Sequence, residues 1–335
     1  MTSATVSRLT GVHPLWGVEG GRLSIAGEGF AVDPLPEVRI GSSPARVVAA
    51  SRRELKVCVP AGLEGGRTTV RLESTPGETA FVEIGAPLAT GLHQVDNPVF
   101  DRDGNLLVTF SGSRGQQSPV SIYVVRPDGT REPFVSGLPN PTSMAFDPAG
   151  ELHVSSRFDG TVYRIGRDGA ATPVATDLGV ACGIAFNDEG VLFVGDRSGT
   201  ILRVEDGRAA AFATLPPSIA AFHLAFGPDG MLLVTGPTLG SRDSIYQVAS
   251  DGEVSVFYEG LGRPQGIAVD EAGRIYVTDA LAGAGGLYRF EPGSREPYQL
   301  IAAGSLVGLA LGPDGTVAVA SGDTVFRFTL SDPRL

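Results

Sequence analysis

The stretch ACGIAFNDEGVLFVGD (Ala181–Asp196) decides the fold. An apolar run closes on an acidic turn ending in glycine, and a second apolar run leaves it. The same phrase returns as VFDRDGNLLV (Val99–Val108), AFDPAGELHV (Ala145–Val154), AFGPDGMLLV (Ala225–Val234), AVDEAGRIYV (Ala268–Val277) and ALGPDGTVAV (Ala310–Val319). The turn glycines Gly104, Gly150, Gly190, Gly230, Gly273 and Gly315 are separated by 46, 40, 40, 43 and 42 residues. A period near forty that holds only strand and turn signals describes the blades of a propeller. Each repeat also has a third strand with its own phrase, among them VYRIGRDG (Val162–Gly169) and IYQVASDG (Ile245–Gly252). A fourth, looser strand closes the unit. The predicted class is all-β: a small immunoglobulin-like β-sandwich followed by a six-bladed β-propeller.

The last repeat stops after its third strand, near Leu330. APLATGL (Ala86–Leu92) matches the fourth-strand phrase TPVATDL (Thr172–Leu178). Residues 86–92 are therefore expected to supply the outer strand of blade six, closing the ring with chain from opposite ends. The domains read as 1–85 and 86–335.

Composition narrows the partners. The chain has 335 residues, 46 Gly, 24 Pro and a formal net charge of −11. That charge argues against nucleic acid as the main partner. Lys56 is the single lysine, so the basic chemistry is arginine's, which suits bidentate contacts to anions. Cys58 and Cys182 fall in different predicted domains, and their spacing is not that of a metal site. The N-terminus carries no basic-then-apolar leader and no run approaches a membrane span. A cytoplasmic protein is expected, with non-classical export or a mis-assigned start left open.

Residues up to about 85 lack the repeat. Short strands are expected at Arg22–Ala26, Glu37–Ile40, Ala45–Ala50, Glu54–Val59, Thr68–Glu73 and Thr79–Ile84, punctuated by Gly and Pro. GGRLSIAGEGF (Gly20–Phe30), VRIGSSPARVVAASRRELKVCVPAGL (Val38–Leu63) and GGRTTVRLES (Gly65–Ser74) resemble the IPT/TIG family of immunoglobulin-like domains. The resemblance implies an interaction or spacer module. RPQGIAVDEAGRIYVTDA (Arg263–Ala280) and Ala181–Asp196 make the rest resemble the NHL and SMP-30/gluconolactonase class of six-bladed propellers.

Function is expected where the repeats disagree. Just ahead of the six inner strands stand Asn97, Asn140, Cys182, His223, Gln265 and Val307. Polar groups converging at a channel mouth form a candidate binding ring. The bland reading is that they cap strand ends. Loops after the second strands carry Arg114, Arg157, Arg197 and Arg242. These suit a carboxylate or phosphate, against a local reading in which Asp159, Asp196 and Asp243 pair with their neighbours. The loops Ser111–Pro119 and Gly236–Ser244 are expected to rim the pocket.

The SMP-30 resemblance implies one divalent metal at this mouth, held by a first-blade Glu, an Asn and an Asp that doubles as base. Here those places hold Asn97, His223 and Gln265, with Asp96 beside Asn97 and expected to point away. Gln is no base, and amides with one His are poor ligands for a hard cation. If a metal binds, its ligands would be Asn140, His223 and Gln265. His223 is the best candidate base, and a Cys182–His223 pair is the minor alternative. Acidic turn residues such as Asp147, Asp188, Asp229 and Asp314 are read as turn architecture.

Three readings follow. One is a propeller that binds a small polar or anionic ligand, or a protein partner, beside a degenerate metal site. A second is a metal-dependent lactone hydrolase with an altered site. The third is a purely structural interaction module. Oligomeric state is not legible.

Overall fold

The computed structural model describes residues 7–116, 118–280 and 284–330. The ends of both predicted domains, Gln117 of the first rim loop and residues 281–283 of blade five lie outside them. Among the described residues the only helix is a single 3-10 turn at Pro313–Gly315. No helix is long and apolar enough to cross a membrane.

Six four-stranded antiparallel units make the propeller. Their inner strands start at Val99, Pro141, Ala181, His223, Pro264 and Gly308. The second strands alternate least in burial, as in Leu152–Ser156 and Thr316–Ala320, because blades pack on both of their faces. Consecutive blades share apolar layers, such as Phe193 and Ile201 of blade three with Leu224 and Val234 of blade four.

The repeated turn explains itself in the backbone. All six turn glycines have φ between 69 and 83°, the left-handed region open to glycine. The preceding side chain then bonds the turn amides: Asp147 Oδ1 accepts from Glu151 N at 2.8 Å, and Asp270 Oδ1 from Arg274 N at 2.9 Å. In blade three Asn187 does this, accepting from Val191 N at 2.8 Å. The acidic residue read there as turn architecture, Asp188, is instead exposed.

Ala86–Ala89 pairs antiparallel with Val325–Thr329, in the register Ala86 to Arg327 and Ala89 to Val325. It is the outer strand of the sixth sheet.

The sandwich differs from the strand list in two ways. Ala45–Ala50 is not one strand: Ser43–Ala45 pairs in one sheet and Val47–Ala50 in the other, so the chain changes sheets at Arg46. Two further strands, Arg8–His13 and Trp16–Gly17, were not anticipated. The second is the hinge of the architecture. Trp16–Gly17 lies parallel to Glu83–Ile84 of the sandwich on one side and to Ile301–Ala302 of blade five on the other. One nine-stranded sheet thus runs through both units. Trp16 packs with Tyr276, Leu287 and Leu300 of the propeller, while Ala302 of the propeller sits in the sandwich core.

Candidate functional site

The segment before blade one governs the channel. In HQVDNP (His93–Pro98), Gln94 accepts from Thr109 N at 2.9 Å and donates to Asp96 O at 2.7 Å. Asn97 donates to Ile267 O of blade five at 2.8 Å and accepts from Leu309 N of blade six at 3.0 Å. Gly308 and Gly266 leave room for this crossing, since a Cβ on either would strike the Asp96–Asn97 backbone or the Asn97 amide. Asp96 then meets His223 of blade four, Oδ1 to Nδ1, on the far side of the ring. Asp96 does not point away, as expected from its neighbour, but inward. Asn97 is consumed in stitching blades, so the Asn takes the structural role and the Asp the polar one.

His223 is 0 % exposed, Asp96 2 %, and the second ring nitrogen, Nε2, is buried with no partner among the described residues. Asp96 Oδ1 also accepts from Asn97 N at 2.7 Å, which fixes the carboxylate. A carboxylate accepts from a protonated Nδ1, and in the neutral imidazole the lone pair then lies on Nε2.

The other ring positions divide. Asn140, fully buried at φ 44°, gives its amide to the first rim loop: it donates to Ser111 O at 2.6 Å and Ser113 O at 2.8 Å, and accepts from Gly115 N at 2.7 Å. That leaves it no free atom for a ligand. Cys182 is buried, its Sγ 3.9 Å from Ala220 O. Burial pushes its thiol up to about 12; Arg197 and Arg157 oppose this and Asp96 adds to it. A neutral thiol is no nucleophile, so the Cys182–His223 pair has no chemical basis. Gln265 and Val307 are half-buried. Hydroxyls of the second strands hold the ring backbone: Ser155 Oγ donates to Cys182 O and Thr235 Oγ1 to Gln265 O.

The arginines do not pair locally. Asp159 accepts from Tyr163, Asp196 from Val180 N and Ser198, and Asp243 from Thr238 while pairing with Arg263 at 3.4 Å. Arg157 instead donates to Gly112 O at 3.0 Å, and Arg197 to Ile219 O at 2.9 Å. Among the described residues no carboxylate pairs with either. Both are half-buried, whereas Arg114 and Arg242 are exposed. Burial lowers the Arg157 pKa first, and the like charges of Arg197 and Arg114 lower it further. His93 is also held down, by burial and then by Arg157. The arginines of blades one to three thus act on one another, and those of blades two and three act with Asp96 on the Cys182 thiol. The rim also shows apolar side chains to solvent: Phe158, Ile219 and Leu239, the last 92 % exposed.

The family-implied metal fits poorly. Asn140 is occupied by the loop, guanidiniums repel a cation, and no cluster of three His, Cys, Asp or Glu side chains that could hold an ion occurs among the described residues. Clefts also lie elsewhere, between blades at the turn end; one of about 500 Å³ is lined by Asn187, Phe193, Phe226 and Val248.

Residues 7–81 match the IPT/TIG domain family. No curated protein matches the chain. Solved structures similar to it include a gluconolactonase of Xanthomonas campestris, at 16% identity and TM-score 0.61, covering 88% of this chain and 98% of that one. An auxiliary nutrient binding protein of Bacteroides thetaiotaomicron aligns at 13% identity and TM-score 0.56, over 97% and 98%. A streptogramin B lyase aligns at 16% and 0.53, over 98% and 94%. At these identities the likeness establishes an IPT/TIG-type sandwich joined to a propeller, and nothing of the chemistry.

Proposed function

We propose that the protein binds a small oxyanion at the channel face of its propeller. The observation that carries this is the pair Arg157 and Arg197: half-buried, anchored on backbone carbonyls, and without a carboxylate partner among the described residues. Guanidiniums held this way keep N–H donors free for a forked contact with carboxylate or phosphate. Arg114 adds exposed charge beside them and favours capture from solution. Titration calorimetry with carboxylates and inorganic phosphate at low salt tests the reading. Saturable binding that Arg157→Leu and Arg197→Leu each weaken supports it; binding that neither variant changes, or none at all, removes it.

A second reading, hydrolysis of a lactone by an altered site, draws on the Asp96–His223 pair. An imidazole fixed by a carboxylate, with Nε2 open, is equipped to take a proton from water. Turnover of simple lactones in the presence of a chelator, lost in His223→Gln, would favour this reading over binding alone.

A further inference from the structure

His223 presents a specific chemical demand. Its Nδ1 is committed to Asp96, and in the neutral imidazole that hydrogen bond leaves the lone pair on Nε2. That atom is buried and unpartnered among the described residues, a costly condition unless a donor satisfies it. The donor is not a metal ion, because the neighbouring charges are guanidiniums. It is not an ammonium for the same reason.

The guanidiniums and the histidine belong to one neighbourhood. Arg197 rests on Ile219 O, the Cys182 thiol faces Ala220 O, and His223 follows three residues on. Cys182 in turn lies within electrostatic reach of Asp96, Arg157 and Arg197. Arg157 shares Gly112 O with Asn140, whose amide sets the rim loop.

We propose that this site takes an oxyanion carrying its own neutral hydroxyl, whose O–H donates to His223 Nε2 while the oxyanion oxygens lie between Arg157 and Arg197. The inference rests on the anion-binding reading and adds the second group the ligand must have. Two sources share this chemistry, a small hydroxycarboxylate and hydrogen phosphate. A site built around a hydrogen-bonding partner rejects the analogue lacking it far more strongly than an apolar pocket rejects a missing methylene, because a buried polar atom is left unpaired.

The test is a comparison of matched pairs by calorimetry on the full chain: glycolate against acetate, and phosphate against sulfate at neutral pH. Preference for the hydroxyl-bearing member by about 100-fold in at least one pair is expected, and the pair that shows it names the source. Alanine should bind no better than propionate. The paired substitution Asp96→Leu with His223→Leu supplies the control. It removes the Nε2 acceptor without leaving a buried charge, so the hydroxyl preference should vanish while the arginines remain. Equal affinities within both pairs, lost in Arg157→Leu, would leave the anion reading intact and overturn the hydroxyl requirement. No binding by any of the four anions would overturn both. A preference that survives the paired substitution unchanged would overturn the assignment of the hydroxyl to His223 Nε2.

Discussion

Asp96 and His223 are 127 residues apart in sequence and meet by Oδ1 and Nδ1, one from the lead-in to blade one and the other from the opposite blade, four. Both are sealed from solvent. Such a pair is weak evidence of stability in itself, but removal of one partner leaves an uncompensated buried group. Asp96→Ala should lower unfolding stability by about 3 kcal/mol, and Asp96→Leu combined with His223→Leu should recover most of that loss. Urea denaturation followed by far-UV circular dichroism measures both, and additive losses in the double variant would show that the two residues do not act as a pair.

Arg157 and Arg197 are expected to act on ligand rather than on fold. Each substitution to leucine should weaken anion binding about tenfold or more, since a charge-assisted hydrogen bond contributes roughly 1.5–3 kcal/mol. The wild-type affinity should fall as salt rises from 20 to 200 mM, about as expected for partly exposed charge. Thermal midpoints of the variants should stay near the wild type; a large drop would make these arginines structural.

The Trp16–Gly17 strand joins the two units through backbone pairing on both sides. Trp16 is the single tryptophan, so its fluorescence reports directly on that junction. Fluorescence and far-UV dichroism should follow one coincident unfolding transition. Trp16→Ala should cost about 3–5 kcal/mol, the usual loss for a buried aromatic. Two separated transitions in the wild type would show that sandwich and propeller unfold independently.

Cys182 gives a pH signature. The free thiol value is 9.0 and burial raises it to about 12 in the folded chain. Between those values the unfolded chain has lost a proton that the folded chain keeps, so stability is full below pH 9 and falls as pH rises through that window. The urea midpoint should decline from pH 8.5 to 10, and Cys182→Ala should flatten part of the slope. Tyr163 and Tyr288, also raised to about 12, govern the higher end. In the native state a thiol reagent should label the half-buried Cys58 well before Cys182. Equal labelling rates would contradict the burial of Cys182.

Asn140 holds the first rim loop by three hydrogen bonds shorter than 3 Å. Asn140→Ala removes them and leaves alanine at a left-handed φ that asparagine tolerates better. Hydrogen exchange should rise across residues 111–116, and anion binding should weaken through Arg157, whose anchor is Gly112 O. Unchanged exchange there would refute the anchoring role.

The blades were legible because their causes are local. A glycine at left-handed φ, an Asp or Asn that bonds the next amides, and apolar runs on either side are all contained within ten residues. The IPT/TIG stretches are legible for the same reason. Trp16–Gly17 was missed because a two-residue strand has no periodicity, and its partners lie 67 and 285 residues away. The ring was located but misread. Asn97 and Asn140 look like ligand-binding amides in the chain, yet each spends its amide on backbone groups of another segment. Asp96 looked like a neighbour pointing outward because strand alternation was assumed to extend into a segment that crosses the channel. The one available signal was the polar stretch His93–Asn97, interrupted only by Val95, where other blades place more apolar or small residues.

By itself the sequence determined the repeat, the turn chemistry, the strand that completes blade six and the arginine-rich loops, since each depends on short-range backbone preference and burial pattern. Only the tertiary structure decided which polar groups remain open. That outcome depends on hydrogen bonds between residues that the ring brings together from opposite blades. His223 keeps an unused nitrogen because Asp96 reaches across to the other one, and Arg157 and Arg197 keep their charge unpaired because the nearby aspartates bond to backbone and hydroxyl groups instead.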